Sequence, residues 1–570
     1  GMLTTLRHLY AVFTPQERRK SIAMLMLVIL MALAETGGVL SIVPFLSVLA
    51  RPDIIQDNRW LHLVYQGLGF DNTHDFTSVL GFVSIAVVVG SSAFKTITLH
   101  LINRFVYLLR HSISMRLLSR YLHQPYEFFL GHNPAELSRN TLSEVDQLQN
   151  GLIKPLSQLI AQGSVVLAML VVLFVYNPWI ALAAVAIVGL LYGVVYGLVR
   201  KRLGRTGKLR QDANGKRFQA CNEALAGIKD VKVTHSAAAY EHQFGSASRA
   251  FSRHQANAET LSQSPLYMVE AVGYTGLIVL ALFLMLQSND IGHILPVLGL
   301  YGFAAYRMLP SIQIMYRGFA QLKFSSAALD VIHRDLALPQ DSPPQAGTRI
   351  TPQQDIRLDN IRYAYPSTPD KPVFDGYSLS IPAGKSTGIV GRTGAGKSTL
   401  MDLLLGLLQP QSGRLMVDNT PVTADNAAAW QRGIGYVPQH IYLADTSVAH
   451  NIAFGIDAAN IDMQAVQCAA KAAQIHDFIT QELAQGYDTR IGDRGIRLSG
   501  GQRQRIGIAR ALYHDPAVLF MDEATSALDA DTEQALNEAI RHLTGDKTVV
   551  VIAHRQASLK YCRQVVTIGN

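Results

Sequence analysis

Gly391-Arg392-Thr393-Gly394-Ala395-Gly396-Lys397-Ser398-Thr399 is the stretch that decides how the second half of this chain folds. It fits G-x-x-x-x-G-K-[ST], a glycine-rich turn whose backbone N–H groups cradle nucleotide phosphates. A helix beginning there points its positive N-terminus at the same phosphates. Lys397 would contact the β- and γ-phosphates, and Ser398 would bind Mg²⁺. Downstream, the apolar run Val518-Leu519-Phe520-Met521 reads as a strand ending in two acids, Asp522 and Glu523. The carboxyl edge of a sheet is where such folds bind ligands. Asp522 would hold Mg²⁺ through water, and Glu523 would polarise the attacking water as general base. Around them, short β-branched strands alternate with helical segments, the pattern of a mixed α/β domain.

At 570 residues the chain is too long for one ordinary domain. It is 49% hydrophobic and only 16% charged, with a mean hydropathy of +0.17, whereas a soluble globular chain is about 25% charged. The deficit lies before residue 320. Three cysteines, Cys221, Cys468 and Cys562, show no metal-like spacing, so inert buried thiols are expected rather than disulfides or zinc. The net charge of +8 does not point to nucleic acid, because the basic residues flank apolar runs. Arg18-Arg19-Lys20 precede an apolar run too long for a signal peptide. Gly1 ahead of Met2 reads as an expression remnant.

Six apolar windows stand out: 21–50, 77–102, 156–176, 179–199, 266–287 and 294–316. A bilayer core about 30 Å thick takes roughly 20 helical residues, and each window is long enough. The third and fourth carry no charged residue. Lys and Arg crowd the N-terminal lead, 103–155 and 200–263, and are scarce in 51–76, 177–178 and 288–293. Both termini and both long loops are therefore expected in the cytoplasm, with the spans continuing into it as helices. Segments near 120–145 and 217–235 would lie at the tips and dock on the ATPase. Trp60 to Tyr65 is amphipathic and suits either an interfacial helix or an ordered loop. Four ionisable residues fall inside windows: Glu35, Lys95, Glu270 and Arg307. Such charges must face a bundle interior or a wet cavity. Lys95 and Arg307 either line a translocation path for an anionic substrate or pair with acids; Glu35 and Glu270 are expected as struts. Pro310 should kink the last span.

The ordered set of motifs resembles the ATP-binding cassette ATPases, and six spans followed by one cassette resembles an exporter half-transporter of that family. The resemblance covers nearly the whole chain. It implies a helical six-span membrane domain over 1–335, a linker over 336–353 and an α/β P-loop nucleotide-binding domain over 354–570. It also implies residue roles. Gly391, Thr393, Gly394, Gly396, Lys397, Ser398 and Thr399 would hold ATP. Tyr365 would stack on adenine, unless it is a core tyrosine at a strand end. Gln439 would touch the metal and sense the γ-phosphate, and His554 would hold the water's geometry. Ser499, Gly500, Gly501 and Gln502 form the signature, which closes on ATP held by a second cassette. Gly492-Asp493-Arg494-Gly495 resembles the exporter loop that reaches towards the membrane domain, and Ser526-Ala527-Leu528-Asp529 the loop that crosses between cassettes. One cassette cannot close a site, so a C2 homodimer is expected, hydrolysing ATP at both sites.

Within that family, short stretches are similar to bacterial inner-membrane flippases for polyprenyl-pyrophosphate-linked oligosaccharides: Ala34-Glu35-Thr36, Val43-Pro44-Phe45, Glu270 and Tyr306-Arg307 with Pro310-Ser311. The resemblance implies a lipid-linked anionic substrate, with Lys95 and Arg307 along its path. Alternatives are an exporter of lipids, drugs or peptides, and a non-transport cassette protein, against which the six windows argue. The chain stops at Val565-Val566-Thr567-Ile568-Gly569-Asn570 without the helical tail usual in such cassettes, for which truncation is the simplest account.

Overall fold

The computed structural model describes residues 2–132, 134–287, 291–340, 347–392, 394, 396–493, 496–522, 529–535, 547–553, 559–560 and 562–569. The chain forms two compact units. One comprises Gly1–Leu122 and Ala135–Leu338, the other His123–Pro134 and Pro339–Asn570.

The first unit is helical. Span 1 is Pro15–Ala50, span 2 Thr73–Leu122, span 3 Lys154–Tyr176, span 4 Pro178–Ala226, span 5 Ala237–Gln287 and span 6 Ile291–Leu336. All six predicted windows fall within them. Among the described residues, five helices are long and apolar enough to cross a membrane, and span 6 carries the remaining window. Span 2, with 50 residues, is about 75 Å long at 1.5 Å per residue, more than twice the hydrocarbon thickness. The excess is the expected helical extension. In span 4 only 6% of the apolar window is buried within the chain. Its leucines and valines need a medium that is itself apolar.

Local signals account for the helix starts. Thr14 caps span 1 by accepting from the Glu17 N–H at 3.2 Å, and Pro15 takes the first turn, where its missing N–H costs nothing. Asn177 caps span 4 in the same way, accepting from the Trp179 N–H at 3.2 Å, so Asn177-Pro178 makes a very short turn. Span 6 runs unbroken through Pro310. The amphipathic stretch folds as a helix, Arg59–Gly67, capped by Asn58. Leu61 and Tyr65 pack towards Val48, Ile55 and Phe76, while Trp60 stays 77% exposed. Before span 3, two π-helical turns, Asn140–Glu144 and Gln149–Ile153, flank Val145–Leu148.

In the second unit the described strands are β1 (Asp355–Tyr363), β2 (Phe374–Pro382), β3 (Ser386–Gly391), β4 (Ser412–Val417), β5 (Thr420–Val422), β6 (Ile434–Val437), β7 (Thr446–Ser447), β8 (Arg490–Ile491), β9 (Val518–Asp522), β10 (Thr548–Ile552) and β11 (Gln564–Ile568). An antiparallel sheet runs β2-β1-β4-β5, and a five-stranded sheet runs β11-β3-β10-β9-β6. Every pairing in the second is parallel. Strands β9 and β10 are almost wholly buried, as parallel strands covered on both faces must be. Trp430 is fully buried, edge-on to Phe520, and its indole N–H donates to the Leu404 carbonyl at 2.9 Å. That bond ties the P-loop helix, Lys397–Leu404, to the core.

The cysteine expectation is corrected: Cys221 and Cys468 are exposed and Cys562 is partly exposed. Cys221 lies at an exposed position on the charged extension of span 4, beside the buried Ala220, and Cys468 is exposed on Met463–Ala472.

Candidate functional site

Parallel pairing puts the chemistry at one edge. Val437 is paired with Met521, and Ile552 with both Asp522 and Ile389. The carboxyl ends of β3, β10, β9 and β6 are thus side by side. The P-loop leaves β3, Asp522 ends β9, and Gln439 follows β6 by two residues. Glu523, His554 and Thr393 lie outside the described residues, as do Arg494, Gly495 and Ser526 to Leu528; Glu523 directly follows β9 and His554 comes two residues after β10.

The P-loop turn needs glycine on two counts. Gly394 and Gly396 have φ of +84° and +92°, a region that side chains disfavour. A Cβ on Gly396 would also stand 2.7 Å from Val373 Cγ1. Gly396 caps the helix Lys397–Leu404, whose first N–H groups have no partner within the helix. Lys397 is buried to 8% exposure. Burial lowers its pKa, and the negative charge of Asp522 opposes that. Ser398 is exposed at the mouth of the turn and Thr399 is buried. The Tyr365 hydroxyl hydrogen-bonds with Thr399 Oγ1 at 2.5 Å, and its ring meets Tyr363 edge-on. Tyr365 is half-buried, which leaves part of its ring open.

A carboxylate that sequence reading missed belongs here. The pKa of Asp402 is pushed up to about 6, by burial first and then by the charge of Asp522. Burial also raises the phenol of Tyr436, with Asp522, Asp402 and Tyr126 adding to the effect. Tyr126, on the helix Tyr126–Leu130, feels Asp402 and Tyr365. The predicted docking segment therefore contributes a side chain near the P-loop helix within the second unit. One signal pointed to Asp402: it lies four residues after Ser398, on the same helix face.

The signature opens the helix Gly500–Leu512 as a capping box. Ser499 Oγ accepts from the Gln502 N–H at 3.2 Å, and Gln502 Oε1 accepts from the Ser499 N–H at 2.9 Å. Gly500 is exposed. The N–H groups of that first turn, Gly501 included, point along the helix axis and suit an anion.

In the membrane unit, the two windowed bases meet on one acid. Arg307 donates through Nε to Glu35 Oε1 and through Nη2 to Glu35 Oε2 at 2.8 Å. Lys95 Nζ donates to Glu35 Oε1 at 3.3 Å. Arg307 Nη1 donates to Ser311 Oγ at 2.7 Å, and Ser311 Oγ to Gln162 Oε1 at 2.6 Å. Glu35 is 7% exposed, whereas the Lys95 side chain is 35% exposed. Two cations share one anion, so the cluster keeps one surplus positive charge. The strut reading holds for Glu35. For Glu270, no ion pair occurs among the described residues. Arg307 and Ser311 face this cluster; Ala305, Met308, Leu309 and Ile312, on the same turns of span 6, line a cavity of about 990 Å³ walled mostly by spans 4 and 5. Its lining is almost entirely aliphatic and aromatic.

Comparison with known proteins agrees with both halves. Residues 40–300 match the model of the ABC transporter transmembrane region, and residues 374–526 that of the ABC transporter. An ATP-dependent lipid A-core flippase of Ralstonia nicotianae is 30% identical over 535 residues, covering 91% of this chain and 86% of that protein. One from Saccharophagus degradans is 31% identical over 509 residues, covering 87% and 84%. A solved structure of a bacterial Atm1-family ABC exporter with ATP bound superposes with a TM-score of 0.73, covering 97% of this chain and 93% of that one at 21% identity.

Proposed function

This chain belongs to the ABC transporter family and is an ATP-driven, multi-pass half-transporter; from that premise we propose that two copies flip an amphipathic, anionic lipid across the bacterial inner membrane, with both termini in the cytoplasm. The cargo we favour is a polyprenyl-pyrophosphate-linked oligosaccharide. The observation that carries this reading is the Glu35–Arg307–Lys95 cluster, whose surplus positive charge lies back to back with an apolar cavity on span 6. A pyrophosphate suits the guanidinium and ammonium, and a hydrocarbon chain suits the cavity.

The nucleotide site supplies the drive. Lys397 and the P-loop N–H groups would bind the β- and γ-phosphates, and Tyr365 the adenine. Ser398, Gln439 and Asp522 would hold Mg²⁺, whose chemistry is to neutralise phosphate charge. Their fit rests on the exposed Ser398 hydroxyl and on the Asp522 carboxylate close to Lys397. Glu523 would orient and deprotonate the attacking water, and His554 would keep that water in line. Ser499 and Gly500 would close on the partner copy's nucleotide, which is why one copy is insufficient.

Purified protein in proteoliposomes tests the cargo. A polyprenyl-pyrophosphate glycan should stimulate ATP hydrolysis and be flipped, and Arg307→Ala should remove both effects while unstimulated hydrolysis persists. If the pyrophosphate lipid does nothing and lipid A-core is flipped, the cargo is the one named for the relatives. If only neutral lipids or hydrophobic drugs respond, the exporter alternative replaces this reading.

A further inference from the structure

The chain passes between its two units three times: out after Leu122, back at Ala135 and out finally after Leu338. Close to each crossing the membrane unit buries one member of a single polar cluster. Tyr121 is 2% exposed, Asn140 3% and Asp335 6%. The Tyr121 hydroxyl donates to Asp335 Oδ2. Asn140 Nδ2 donates to the Tyr121 oxygen at 3.3 Å and to Asp335 Oδ2 at 3.4 Å. From outside, Arg334 Nε donates to Asp335 Oδ1 at 3.0 Å, with its side chain 64% exposed.

Further pairs repeat the link between the first crossing and the last. In the membrane unit, Arg120 Nη1 donates to the Leu338 carbonyl at 2.8 Å. In the other unit, Gln124 Nε2 donates to the Pro339 carbonyl at 2.7 Å. On each side of the boundary the outgoing chain of span 2 is therefore stitched to the chain leaving span 6. Asn140, in the π-helical turn before span 3, adds the returning chain.

Stability alone does not ask for this arrangement. Well-packed apolar residues often hold a buried position as well as a buried carboxylate does, and each polar member must find its partner or cost stability. What the cluster adds is a directional link between three helix ends that apolar contacts would let slide. We propose that Tyr121, Asn140 and Asp335 form a coupling latch: it makes the docking segment 123–134 and the chain entering the ATPase domain displace together, so that nucleotide-driven movement reaches spans 2, 3 and 6 as one motion. The latch requires the ATP-driven cycle and is indifferent to the cargo.

The test uses the full-length dimer in phospholipid nanodiscs, with Cys221, Cys468 and Cys562 replaced by serine and a spin label at position 66, exposed on the helix Arg59–Gly67. Pulsed EPR reads the distance between the two labels without nucleotide and with ATP and vanadate; ATP hydrolysis and melting temperature are read on the same samples. Tyr121→Phe and Asp335→Asn should hydrolyse ATP within about twofold of the parent and fold, melting somewhat below it because a buried partner is lost. The shifted label population should fall by about tenfold relative to the unshifted one, the order expected for losing one hydrogen bond to a charged group. Arg120→Ala, which spares the buried cluster, should give a smaller loss in the same direction and carries the test if the buried variants fail to fold. Full label displacement at parental hydrolysis overturns the latch. So does loss of hydrolysis, displacement and melting temperature together in variants that fold, because that marks a purely structural cluster.

Discussion

Arg307 in span 6 grips the carboxylate of Glu35 in span 1 through two of its nitrogens, across 272 positions of sequence. Lys95 of span 2 leans on the same carboxylate. Removing the acid strands two cations inside the bundle, whereas removing Lys95 strands nothing. Breaking one partner of a buried pair costs about 3–5 kcal/mol. Glu35→Gln should therefore lower the melting temperature far more than Lys95→Gln, and adding Arg307→Gln to Glu35→Gln should recover part of the loss. Thermal melts of the four proteins in one detergent check this; equal losses for Glu35→Gln and Lys95→Gln would show that the acid does not hold the cluster.

Gly396→Ala acts on nucleotide binding through the backbone. At a φ of +92° the new Cβ also meets Val373, and the left-handed region alone costs about 1–2 kcal/mol for a residue with a side chain. The turn should open and ATP affinity should fall at least about tenfold, as read by equilibrium titration with a fluorescent ATP analogue. An unchanged affinity would mean that this turn does not cradle the phosphates.

Glu523→Gln removes the proposed base but no phosphate donor. ATP should still bind and hold the dimer closed, while turnover drops by at least about a hundredfold, the range of a general base. Steady-state phosphate release alongside size analysis of the ATP-loaded dimer measures both. Turnover near that of the parent would assign the base elsewhere.

Asp402 titrates in the direction that penalises neutral pH. Its folded pKa of about 6 lies above its ordinary value of 3.8. Between those values the folded protein keeps a proton that the unfolded chain has released, so stability falls as pH rises through that window and levels off above it. Asp402→Asn does not titrate. The melting temperature of the nucleotide-free variant should match the parent near pH 4 and exceed it increasingly up to pH 7. A difference independent of pH would remove the titration from the account.

The nucleotide motifs were readable because phosphate binding constrains consecutive residues. A turn needs glycine at Gly394 and Gly396, and the lysine must follow at once. The spans were readable because a bilayer imposes about 20 apolar residues wherever a helix crosses it. Asp402 was nearly invisible: one acid within Leu400 to Leu404 has no motif, and its character comes from Asp522, which is distant in sequence. The partner of Glu35 was open for the same reason. Lys95 was as eligible as Arg307, either base could equally have met Glu270, and charge placement along a helix does not say which face meets which neighbour. The cysteines were misjudged because average burial of the residue type does not say which face of a helix Cys221 or Cys468 occupies.

By itself, then, the sequence determined what is local or periodic: apolar lengths that must span, a turn that needs glycine at Gly394 and Gly396, and the family to which the ordered motifs belong. Tertiary structure alone decided which distant residues share a site. It brought Arg307 and Lys95 onto Glu35, Tyr126 towards Asp402, and Tyr121, Asn140 and Asp335 into one buried cluster. The physical reason is range. Backbone geometry and hydrophobic periodicity act between neighbours in the chain, whereas pairing of buried charges and hydrogen bonds is settled only when packing brings helices into contact.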